Sequence, residues 1–146
     1  RGFEGEAVAL ARSIAMTTYR SPAELEERFD APPAWCDGEP VFPVERYLCA
    51  RGDAFTRTMD PRAYLALSRA IDLHCIRAAS IRVPTVLLGA TSDSLVPIGQ
   101  IERLAHDLGG EVRVIRISSP YGHDAFLKEV EAMGTAIRQA LEGGAA

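Results

Sequence analysis

An aspartate and a histidine, each set just beyond an apolar run, carry the clearest chemistry in this chain. The run Val83-Pro84-Thr85-Val86-Leu87-Leu88-Gly89-Ala90 breaks at Thr91-Ser92-Asp93-Ser94. Further on, Val112 to Ile117 leads through Ser118-Ser119-Pro120-Tyr121 to Gly122-His123-Asp124. A carboxylate held against an imidazole fixes the ring's tautomer and stabilises the imidazolium that forms when the ring takes a proton. A histidine held in this way serves as general base and then as general acid. Most loop aspartates are merely Asx-turns or helix caps. The order of acid before base, each after a strand-like run, favours the catalytic reading of Asp93 and His123. Gly122 permits an unusual backbone angle and a close approach at the histidine. His74 and His106 lack this context; the first ends a helical pattern and the second sits on an amphipathic, solvent-facing one.

Three further residues could hold a small zwitterion. Arg12 and Tyr19 lie seven residues apart, and share a face if one helix reaches both. A guanidinium fork beside a phenol suits an α-carboxylate. Asp124 could hold an ammonium group, or could simply cap the helix it opens, worth about 1 kcal/mol. Arg20 is a neighbouring cation expected to face elsewhere.

The elements that must position these residues change period along the chain. Residues 1–80 read as helical and irregular. Ala7, Leu10, Ala11 and Ile14 mark one apolar helix face within Glu6 to Thr17. Ser21-Pro22-Ala23-Glu24 is a capping-box start for a helix through Phe29. Pro32, Pro33, Gly38, Pro40 and Pro43 predict a loop. Val44 to Arg51 reads as a helix that continues or restarts through Thr58. Asp60-Pro61 opens another, reaching about Asp72. Residues 81–146 read as strand Thr85–Ala90, helix Ile98–Leu108, strand Val112–Ile117 and one long helix Ala125–Leu141. That order predicts a parallel α/β layer, with right-handed crossovers.

Composition narrows the function classes. The chain has 146 residues, 47% hydrophobic and 25% charged, with a net charge of -4. Its 16 basic residues form no run and include one lysine, Lys128, so no nucleic-acid stripe is expected. No apolar stretch approaches the roughly 20 residues a membrane span needs, and no signal-peptide pattern opens the chain. Cys36, Cys49 and Cys75 have no metal-binding spacing. They are expected to be reduced, buried thiols in a cytoplasmic protein. No metal and no cofactor are called for. The start Arg1-Gly2-Phe3 reads as the interior of a longer protein or a cleavage product, and no Gly-x-Ser-x-Gly occurs.

These residues together resemble a known family. Leu10-Ala11-Arg12 with Met16-Thr17-Thr18-Tyr19-Arg20-Ser21 is similar to a segment of homoserine O-acyltransferases of the MetX type. So are Phe42-Pro43-Val44-Glu45-Arg46-Tyr47-Leu48 and Tyr64 to His74. Asp93-Ser94-Leu95-Val96-Pro97 and Gly122-His123-Asp124-Ala125-Phe126-Leu127 resemble that family's acid and histidine motifs. The resemblance implies the C-terminal part of an α/β-hydrolase fold preceded by a helical lid. It implies that Asp93 and His123 serve a nucleophilic serine carried by the N-terminal half of the same enzyme. Arg12 and Tyr19 would hold the carboxylate of homoserine, and Asp124 its amino group. Acyl-CoA would be the co-substrate, with acetyl or succinyl as the acyl group and homoserine or serine as acceptor. A homodimer through the helical lid is implied. On the tail motifs alone the chain could equally be an esterase or lactonase, and without a nucleophile it could be a non-catalytic lid or dimerisation fragment.

Overall fold

The computed structural model describes residues 3–143. Within them the first helix, α1, spans Phe3–Thr18 and α2 spans Pro22–Phe29. Strands β1 (Ala34–Cys36) and β2 (Glu39–Val41) follow, then α3 (Pro43–Phe55) and α4 (Pro61–Asp72). A 3-10 turn at Ala78–Ser80 precedes β3 (Thr85–Ala90), α5 (Ile98–Asp107) and β4 (Val112–Ile117). A second 3-10 turn, Gly122–Asp124, leads into α6 (Ala125–Lys128) and α7 (Val130–Gly143).

The local signals explain most of these boundaries. Ser21 Oγ accepts from Glu24 N at 3.1 Å, and Pro22 takes the first helical position of α2. Asp60 Oδ1 accepts from Arg62 N and Ala63 N at 2.9 and 3.1 Å, with Pro61 opening α4. Pro43 opens α3, which then runs unbroken through Phe55. The predicted α1 stops at Thr18, one residue short of Tyr19, because the chain must turn into the Ser21-Pro22 start of α2. Arg12 and Tyr19 therefore do not share one helix.

Two regions depart from the sequence reading. The proline-rich loop contains an antiparallel hairpin, with Ala34 opposite Val41, Trp35 opposite Pro40 and Cys36 opposite Glu39. Its turn is Asp37-Gly38, with φ of 51° and 86°. Asp-Gly is a strong signal for a two-residue hairpin turn, and the density of prolines masked it. The long terminal helix is interrupted at Glu129, whose ψ of 59° leaves the helical region, so the ladder restarts at Val130. No glycine or proline marks that break. The cysteines also differ from expectation in one respect, since all three are exposed rather than buried.

By internal contacts the chain forms two units. The first comprises the chain up to Thr17 together with Leu25–Cys75; the second comprises Thr18–Glu24 and the chain from Ile76 onward. The division thus falls a few residues before the predicted boundary, and the short segment around Tyr19 joins the second unit. In the first unit Ser13 Oγ donates to the carbonyl oxygens of Ala9 and Leu48 at 3.0 Å, drawing α1 onto α3. Arg28 lies over the rings of Phe29 and Tyr47 at 5.3 and 4.8 Å, and Arg51 over Tyr47 at 5.2 Å.

The second unit is the α/β layer. β3 and β4 pair in parallel, from Thr85 opposite Val112 to Ala90 opposite Ile117. Ala90, Ile117, Ala125 and Ala136 are buried and form its core. β3 is an uninterrupted run without a charged residue, as suits a strand with neighbours on both sides. β4 carries Arg113 and Arg116, and Arg116 pairs with Glu102 of α5 at the surface. Charged side chains of this kind mark a sheet edge.

Candidate active site

The ends of β3 and β4 feed two loops that are stitched together by hydroxyls. Ser92 Oγ donates to the Ser119 carbonyl at 2.5 Å and accepts from Gly122 N at 3.1 Å. Tyr121 N donates to the buried Ser119 Oγ at 3.1 Å. The sequence singled out neither Ser92 nor Ser119. Small polar residues in a loop are too common to signal such a role before the two loops are known to be neighbours.

Asp93 does both things its sequence context allowed. Its Oδ1 accepts from Leu95 N and Val96 N, each at 2.9 Å, which makes it an Asx-turn. Its Oδ2 lies 2.8 Å from His123 Nδ1. The turn locks the carboxylate, and the locked carboxylate locks the ring. An ionised carboxylate can only accept, so the proton sits on Nδ1 and Nε2 is left to act as base. The Asp93 side chain is 9% exposed and that of His123 32%, so the acid is sheltered while the base remains reachable. The ring is flanked by Tyr19 and Phe126, each with its centroid 5.9 Å away. Asp93, His123 and Phe126 also line a largely apolar cavity of about 300 Å³, with Val96, Ile117 and Met133 among its walls.

Gly122 has φ +60° and fits against the segment before α2. A Cβ there would lie 2.7 Å from Ser21 N and 2.9 Å from the Arg20 carbonyl carbon. Glycine is thus required on two counts, backbone angle and close approach.

Asp124 does not cap α6 with its side chain. Its Oδ2 lies 3.0 Å from Nε of Arg20, whose Nη1 is 3.0 Å from Glu24 Oε1. Arg20 was expected to face elsewhere and instead sits against the carboxylate beside the histidine. The reason is the end of α1 at Thr18, which redirects the residues after it. The second unit therefore brings together Tyr19, Asp93, His123 and Asp124. Arg12 belongs to the first unit, where its guanidinium lies over the Phe55 ring at 5.0 Å. His106 is on the surface, with its side chain 89% exposed. Among the described residues no group of three or more His, Cys, Asp or Glu could hold a metal ion, and no helix is long and apolar enough to cross a membrane.

An aspartate just beyond one strand paired with a histidine beyond the next parallel strand suits the α/β-hydrolase fold class, and solved structures agree. Over 94% of its length the chain superposes on an esterase, in wild-type and single-substitution forms, with TM-scores of 0.77 and 0.81 at 18% and 19% identity. A third structure, described as an N-acyl homoserine lactone degrading enzyme, gives a TM-score of 0.56 at 18% identity. At these identities the likeness concerns the fold. No family model matches the chain.

Sequence relatives are more specific. The chain is 44% identical over 140 residues to a homoserine O-succinyltransferase of Xanthomonas campestris, covering 94% of the chain and 37% of that protein. It is 37% identical over 153 residues to a homoserine O-acetyltransferase of Clavibacter michiganensis, covering 92% of the chain and 39% of that protein. It is 33% identical over 154 residues to a homoserine O-acetyltransferase of Corynebacterium diphtheriae, covering 94% and 42%. By sequence the chain is similar to homoserine O-succinyl- and O-acetyltransferases, and it spans less than half the length of these relatives.

Proposed function

We propose that this chain supplies the acid and base of an acyl-CoA-dependent O-acyltransferase whose acceptor is the hydroxyl of homoserine. The observation that carries the proposal is the 2.8 Å contact of His123 with an Asp93 already held by two backbone N–H groups. In this reading the nucleophilic serine lies in the part of the enzyme outside these 146 residues. His123 takes the serine's proton as the serine attacks acyl-CoA, and passes it to the departing CoA sulfur. It then takes the proton of the acceptor hydroxyl, which attacks the acyl-serine, and returns a proton to the serine oxygen. Tyr19, whose ring lies beside that of His123, is proposed to face the acceptor's carboxylate and Asp124 its ammonium group.

The serine-bearing segment is proposed to add a parallel strand beside β3. This strand has no charged residue, whereas β4 carries two arginines at the opposite edge. Val83, Leu95, Phe126, Leu127 and Val130 are exposed, which leaves apolar surface on the second unit for such a partner. The helical first unit is proposed to join two copies into a homodimer. Relatives named for succinyl and for acetyl transfer both align, so either acyl donor fits this reading. The test is homoserine-dependent CoA release, measured for the chain alone and for the chain combined with a serine-bearing segment. Release is expected only from the combination. Hydrolysis of acyl-CoA that proceeds regardless of homoserine would replace the transferase reading with an esterase one.

A further inference from the structure

The segment Thr18–Glu24 is bound to the histidine loop along its length. Asp124 N donates to the Tyr19 carbonyl at 3.1 Å, Ser21 Oγ donates to the Pro120 carbonyl, and Gly122 fits against the Arg20–Ser21 peptide. At the centre of this contact is Arg20. Its side chain is only 10% exposed, those of Glu24 and Asp124 only 11% and 16%. One guanidinium between two sheltered carboxylates leaves the trio with a single negative charge. Arg20 Nε lies 3.0 Å from Asp124 Oδ2 without hydrogen-bond geometry, so the guanidinium draws this carboxylate by its charge and meets one of its two oxygens.

We propose that Arg20 is a positioning residue for the acceptor: anchored on Glu24, it holds Asp124 and the adjoining His123 in register and leaves Asp124 Oδ1 for the acceptor's ammonium group. The part concerning the ammonium rests on the transferase reading above. Arg20 has no place in the proton transfers, and its side-chain contacts are with Glu24 and Asp124. Its effect runs through Asp124. A carboxylate free to rotate would still attract a cation, but the hydroxyl would no longer be aimed at the acyl group. A misplacement of about 1 Å at such a site can cost about 100-fold in rate.

The inference is tested with Arg20→Lys, Arg20→Gln and the double variant Arg20→Gln/Glu24→Gln. The double variant removes both charges together and keeps the test sound if Arg20→Gln alone fails to fold. In the 146-residue chain, NMR follows the His123 ring resonances, including the Nδ1 proton shared with Asp93, and the exchange rate of the Asp124 amide. Both Gln variants should move the ring signals and speed that exchange, and Arg20→Lys should do so less. In the combination with the serine-bearing segment, the acceptor KM should rise about 10-fold or more, a larger change than any slowing of the burst of CoA release. Folded Gln variants with unaltered His123 signals and unaltered acceptor KM would overturn the proposal. If the unsubstituted combination transfers no acyl group while the His123 signals still respond to Arg20, the transferase reading fails and the positioning role stands.

Discussion

The contacts of the arginines in the helical unit and those around the histidine in the α/β unit differ in kind. In the helical unit, arginines lie over aromatic rings: Arg12 over Phe55, Arg28 over Phe29 and Tyr47, Arg51 over Tyr47. Such contacts tolerate sliding and tilt, since the ring face is broad. In the α/β unit the contacts around the histidine are short and directed: Ser92 to Ser119 and Gly122, Asp93 to two amides and a ring nitrogen, Arg20 to Glu24. Directed hydrogen bonds fix angle as well as distance. A surface that only has to pack can use the first kind. A base that must meet a proton within a fraction of an ångström needs the second.

The contrast can be broken most severely at Asp93. Asp93→Asn keeps an oxygen able to accept from Leu95 N and Val96 N, so the turn should survive. It removes the charge that stabilises the imidazolium, and transfer by the combined enzyme should fall by roughly 10⁴-fold. Steady-state kinetics beside circular dichroism checks this, with an unchanged spectrum expected. A loss of helical signal would mean that the carboxylate is chiefly structural.

Gly122→Ala should act next most strongly, and on stability as well as rate. A side chain at φ +60° costs about 1–3 kcal/mol. The Cβ would also press on Ser21 and Arg20, so the histidine loop should swing away. Urea unfolding of the chain measures the first effect and His123 ring shifts the second. A smaller effect is expected from Ser92→Ala, which leaves Gly122 N without its acceptor, at a cost of about 1 kcal/mol. That variant should disturb His123 signals more than its loss of stability suggests, because it cuts the stitch between the two loops.

The least effect on the site should come from the helical unit. Tyr47→Leu removes the ring under Arg28 and Arg51, worth about 0.5–1 kcal/mol per exposed contact. Unfolding should shift while His123 resonances stay in place. Ring shifts as large as those of Ser92→Ala would show that the two units are not distinct in the way their contacts suggest.

Local signals in the sequence were enough for most of the elements and for two of the site's members. Pro61 after Asp60 and Pro22 after Ser21 started helices where expected, because capping depends on neighbours two or three residues away. The pairing of Asp93 with His123 was legible because each follows its own parallel strand, and parallel strands bring their ends to one edge. The Asp37-Gly38 hairpin was equally local, and was hidden only by the prolines around it.

Tertiary structure alone decided what lies beside the histidine. Arg20 and Asp124 are separated by more than a hundred residues, and nothing in the spacing of either points to the other. Their meeting depends on where α1 ends, on a glycine at Gly122 thin enough to admit the Arg20–Ser21 peptide, and on Glu24 holding the guanidinium from behind. The exposure of all three cysteines and the break at Glu129 were likewise out of reach of the sequence. Periodicity and capping report forces within a few residues of chain. Which charge faces which across the fold is settled only when the elements pack, since a buried guanidinium takes whatever carboxylates the packing puts within reach.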